Sequence, residues 1–200
     1  MQKSLYHAER KIPLRFSVIA GEVLYHLRSS LDHMAWLLAI PEIREKTPVR
    51  VEFPVGCERL NKDGAPSLKG KIEIFASDTA KQIIERVQPY NGADPLNDIL
   101  WLIHDLDRKA KHRELPLAFT GFDLGSPQLN AIGRFYAENP SVPFPVHIAR
   151  QIDKHMKFSP IVVLSDVVKG QAQPIIPTLR SFESEVWYVF NQLLGELAKC

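Results

Sequence analysis

Apolar residues along this chain recur mostly at steps of three and four, and only in two regions do they alternate instead. Leu24, Leu27, Leu31, Ala35 and Leu38 follow the first rhythm, which lines one face of a 3.6-residue helix and requires that face to be buried. The rhythm starts at Arg15 and carries to Ile40, where Pro41 stops it because proline lacks an amide hydrogen and clashes with the preceding turn. This is the longest predicted helix. Ahead of it, MQKSLYHAERKIPL reads as a short polar helix that ends before Pro13.

Three more helices follow from the same pattern. Ser77 and Asp78 are good N-caps for a helix carrying Ala80, Ile83, Ile84 and Val87, which closes at the turn signal QPYNG. Pro95 is placed to open the next at its first turn, with Ile99, Leu102, Ile103, Leu106 and Ala110 buried and the polar residues from His104 to His112 around the remainder. The last starts at Pro177 and Thr178 and presents Leu179, Phe182, Val186, Phe190, Leu193, Leu194 and Leu197. Its apolar face matches the first helix in length, so the two are expected side by side.

Between the first two long helices the character changes. Pro41, Pro48, Pro54 and the polar stretch NKDGAPSLKGK read as a connection over the surface, with VRVEFPV as a strand or a clamped extended segment. After Pro116 the pattern turns extended again: Leu117 to Leu124, Val142 to Ile148 and Phe158 to Ser165 predict three strands of a small antiparallel sheet. The expected fold is therefore mainly α, a bundle of about four helices with a three-strand insertion at about 114–168, in one domain over 1–200.

Composition narrows the function classes. At 200 residues and 45% hydrophobic content the chain can bury one ordinary core. Its 25 basic and 23 acidic residues leave a formal charge of +2, so any affinity for polyanions must come from a local patch. Two cysteines, Cys57 and Cys200, make no disulfide framework and have no metal spacing. No apolar run is long enough to span a bilayer and no leader pattern opens the chain, so a cytoplasmic protein is expected. Gly-rich phosphate loops and a GxSxG elbow are missing, which disfavours nucleotide and serine-hydrolase chemistry.

The candidate chemistry lies on two helices. On the first, Arg28 and Asp32 are four apart and can pair. His26 and His33, seven apart, share another face, while Arg28 and His33 are offset by roughly 140 degrees, enough to flank one groove holding a phosphate. On the second, Asp105 with Lys109 and Asp107 with Lys111 have the spacing of a solvated face laced by ion pairs. The same stretch would otherwise supply phosphate-binding charge through Arg108, Lys109, Lys111, His112 and Arg113. A metal alternative gathers His26, His33, His104, Asp105 and His112 as ligands in the bundle. His7, His147 and His155 have no partner spacing and are expected at the surface. Trp36, Trp101 and Trp187 each fall on a predicted helix, where core packing is the first expectation and a dimer face the second.

The segment LRSSLDH resembles the R-x4-H motif of the HEPN superfamily, helical-bundle proteins that include many metal-independent endoribonucleases; Ser29 stands where that motif often has asparagine or aspartate. The resemblance implies a bundle acting without a cofactor, commonly as a homodimer with the motif at the interface. It implies Arg28 on the RNA phosphate and His33 in proton transfer, with Asp32 orienting one of them. Across most of its length, through GEVLYHLRSSLDHMAW, FPV, QPYN and LWLIHDLDRKAKHR, the chain is also similar to a group of uncharacterised bacterial proteins. That likeness carries no activity and implies a further helix ahead of the first. DinB-type bundles, which hold metal through three histidines, are the analogy for the metal alternative, and a noncatalytic scaffold or antitoxin-like domain is a third class.

Overall fold

The computed structural model describes residues 14–112, 117–123, 131, 135, 139, 159–168 and 171–199. The expected opening helix, the strand from Val142 to Ile148, Arg113, His7, His147, His155 and Cys200 lie outside the described residues.

The chain is mainly helical with a small antiparallel sheet. Helix α1 (Leu14–Leu38) ends where Ala39 bridges to Phe75 and the Ile40 amide donates to the Ile74 carbonyl at 2.9 Å. Pro41 then opens a short helix, α2 (Pro41–Lys46), in which its missing donor costs nothing. After α3 (Lys69–Ile72), Ser77 caps α4 (Asp78–Arg86) by accepting from the Ala80 amide, as its residue type predicts.

Helix α5 (Ile99–His112) begins later than Pro95 suggests. Pro95–Asn97 forms a separate 3-10 turn, and the Asp98 carboxylate starts the helix by accepting from the Leu100 amide at 2.9 Å. Helix α6 (Ile175–Leu197) begins two residues before Pro177. Proline is tolerated there because first-turn amides have no partner within their own helix.

The sheet has the order β1 (Leu117–Asp123), β2 (Ser159–Val168), β3 (Gln171–Pro174), antiparallel throughout. β3 falls where the sequence offers no alternating pattern. Its pairing with β2 supplies what propensity does not, and it leads straight into α6.

Helices α1, α5 and α6 pack on one another and α4 closes against α6. Leu24, Leu31, Phe75, Ile84, Ile103 and Phe182 are among the side chains sealed between them. The α1 residues expected on the buried face are there, with Leu27 partly exposed. α1 and α5 run antiparallel: a Cβ built on Gly21 would lie 3.4 Å from the Ala110 Cβ, while Arg28 lies within electrostatic reach of His104.

Candidate functional site

The polar side of α1 divides into an inward pair and an outward imidazole. Arg28 is only 5% exposed, and its Nη2 lies 2.8 Å from Asp32 Oδ1 and donates to the Phe53 carbonyl at 2.7 Å. The Phe53 amide in turn donates to the same Asp32 oxygen at 2.8 Å. One ion pair thus takes both the amide and the carbonyl of Phe53, the service a neighbouring strand would give in a sheet.

A second side chain does the same one step further along. Gln88, itself buried, donates through Nε2 to the Pro54 and Ile84 carbonyls, each at 2.9 Å, and accepts from the Gly56 amide at 3.1 Å. Phe53, Pro54 and Val55 are buried between these two holds. The expected connection over the surface is therefore corrected here: this part of it runs through the core. It can do so because side chains of α1 and the end of α4 satisfy backbone groups that would be costly to bury unpaired.

Burial pushes the Asp32 carboxyl above its usual range, against the pull of the Arg28 guanidinium and the Phe53 amide. Nη1 of Arg28 and Oδ1 of Asp107 are buried without a hydrogen-bond partner among the described residues.

His33 points the other way. It is exposed, and its Nδ1 lies 2.7 Å from the Ser29 carbonyl of its own helix. A carbonyl only accepts, so Nδ1 carries the hydrogen, and in the neutral ring the lone pair is on Nε2. The structure does not bring Arg28 and His33 to one open groove, because Arg28 is drawn into the bundle by Asp32 and the Phe53 carbonyl. His26 is exposed like His33, as their spacing predicts, with its ring edge-on to Tyr25 at 5.4 Å.

On α5 the ion-pair reading is met directly. Asp105 pairs with Lys109 at 2.7 Å and Arg108 at 2.8 Å, and Asp107 with Lys111 at 2.7 Å. Asp107 is buried, contrary to its expected place on a solvated face. Arg108, Lys109, Lys111 and His112 are exposed. Lys111 reaches back to α1, its Nζ 5.3 Å from the Tyr25 ring centroid.

His104 is half-buried, 5.6 Å from the Trp101 ring. Burial, then the charges of Arg28, Lys71 and Arg108, hold its pKa below the ordinary 6.5, with Glu52 opposing. A group deprotonated in the fold but free to bind a proton in the unfolded chain weakens the fold as pH drops below that ordinary value. Wild-type protein should therefore lose more urea resistance than His104→Gln between about pH 7.5 and about pH 5. Equal losses would show that His104 titrates alike in both states.

The metal alternative is corrected by the same placements. Among the described residues no group of three or more histidine, cysteine, aspartate or glutamate side chains is arranged to hold an ion. His26, His33 and His112 face outward on α1 and α5, whereas His104 and Asp105 are partly buried.

Glu52, Lys71 and Gln88 escaped the sequence reading as site residues, although Glu52 pairs with Lys71 beside His104. The strings FPV and QPYN were the available signal, since Phe53, Pro54 and Gln88 sit in them. No protein-family model, curated protein or solved structure matches the chain.

Proposed function

We propose that the protein is an RNA-binding, HEPN-like homodimer in which His33 is the acid–base group of a metal-independent ribonuclease. The observation that carries the reading is the placement of His33, an exposed imidazole whose Nδ1 lies 2.7 Å from the Ser29 carbonyl: in the neutral ring that contact assigns the hydrogen to Nδ1 and leaves Nε2 as the base. That nitrogen would take the proton of a ribose 2′-hydroxyl as its oxygen attacks the adjacent phosphorus. The bond to the 5′-oxygen breaks, that oxygen takes up a proton, and a 2′,3′-cyclic phosphate remains.

Arg28 would serve by holding α1 and the residue-53 segment in place, its guanidinium being committed inside. Contact with the RNA backbone would fall to Arg108, Lys109, Lys111 and His112 on α5, with Arg113 following in sequence. The pairs of Arg108 and Lys109 with Asp105 have solvent-exposed cations that can turn to phosphate, whereas Lys111 is tied to the buried Asp107 and contributes its charge from that pair.

The test is incubation of chelator-treated protein with single-stranded and hairpin RNA. Wild type should release cyclic-phosphate ends, and His33→Ala should slow this at least ~100-fold with an unchanged melting curve. Wild-type protein that cuts no RNA, or His33→Ala that cuts as well as wild type, overturns the catalytic reading.

A noncatalytic interaction protein is the second reading, favoured by one specific observation. Trp36 and Trp187 are 39% and 57% exposed, where core packing was the expectation, and only Trp101 packs against the core. Exposed tryptophans of this kind are the side chains that protein interfaces favour.

A further inference from the structure

Helix α6 buries Phe182, Val186, Val189 and Leu193 against the bundle and carries a second line that is exposed from Ile176 to Trp187 and reaches the edge of the core at Phe190. Ile176, Arg180, Glu183, Trp187 and Phe190 fall within about 40 degrees of one line at 100 degrees per residue. Ile176 is 60% exposed, and the Trp187 ring stands edge-on to Phe190 at 5.4 Å rather than folding onto the core.

The two charges on this line are exposed and opposite. Although three residues apart, Arg180 and Glu183 are not paired with each other, and neither joins an ion pair among the described residues.

We infer that this line is where a second copy of the chain docks, α6 against α6 in antiparallel orientation about a two-fold axis between Arg180 and Glu183. A two-fold interface must be self-complementary, residue i meeting residue j and j meeting i. The midpoint of Arg180 and Glu183 along the helix is also the midpoint of Ile176 and Trp187. One placement therefore makes two reciprocal Arg180–Glu183 pairs and sets each Trp187 over Ile176 of the other copy. Charged pairs at the centre fix the register, and flanking tryptophans supply the buried apolar area on which such interfaces depend.

This inference deepens the homodimeric part of the proposed reading and is independent of the RNA chemistry, because association is measured without RNA. Sedimentation velocity of wild-type protein should show a concentration-dependent dimer. Arg180→Glu and Glu183→Arg should each weaken it by about tenfold or more, since each reversal sets like charges opposite one another. Mixing the two variants should restore association, because one supplies two acids where the other supplies two bases. Trp187→Ser should weaken the dimer without a charge change. Circular dichroism melts check that each variant folds, and Arg180→Gln with Glu183→Gln replaces any reversal that does not. A wild type that stays monomeric, a dimer indifferent to these substitutions, or a mixture no tighter than either variant alone would overturn the inference. Loss of RNA cutting with the dimer intact would fault the chemistry alone.

Discussion

Arg28→Ala is expected to cost about 3–5 kcal/mol of folding stability, read as a lowered urea midpoint at neutral pH with an unchanged slope. The substitution strands the Asp32 carboxylate beside a buried peptide, and the Phe53 carbonyl loses its donor at 2.7 Å. The Asp32 side chain is partly open to solvent, and replacing even a fully buried ion pair by two apolar residues is often harmless elsewhere. Here it should not be, because a double replacement of Arg28 and Asp32 by leucine would orphan both peptide groups of Phe53. Asp32→Asn is the milder control, since its amide oxygen can still accept from Phe53. A loss under ~1 kcal/mol for Arg28→Ala, the range of an exposed ion pair, would mean that the pair does not hold the segment.

Gln88→Leu is expected to cost about 2–4 kcal/mol, because the buried Pro54 carbonyl and the half-buried Gly56 amide lose their partners. Leucine keeps the bulk, so the loss would be one of hydrogen bonds rather than of packing. Arg28 and Gln88 hold adjacent stretches of one segment, and their effects should not add. Once either hold fails and the segment lifts, the other has less left to lose, so the double variant should fall short of the summed costs. Strict additivity would separate the two holds.

The helices were legible because their burial is periodic. Leu24, Leu31 and Leu38 mark α1, and Ser77 announces α4 through the chemistry of its own hydroxyl. The pairings of Asp105 and Asp107 were legible for a similar reason, since a four-residue spacing on one helix is a local fact. What Arg28 and Asp32 hold was not legible. Their target lies 21 to 25 residues away and is a main-chain amide and carbonyl, which every residue possesses and no letter in the sequence advertises. VRVEFPV did read as a strand or a clamped segment, and the fold uses the second of these. The start of α5 was misplaced for a nearby reason: proline favours a first turn but does not say whether that turn is 3-10 or α, and Asp98 decided it. The exposure of Trp36 and Trp187 was hidden because helical spacing shows which residues align, not which aligned face meets a neighbour.

The hold on residues 53 to 56 also bears on the order of assembly. A strand finds its neighbour through main-chain groups that are present from the start, whereas this segment needs the tips of side chains from α1 and from the turn after α4 already set at the right spacing. It is therefore expected to settle after α1 and α4 have met, locking the arrangement at the end of folding rather than nucleating it.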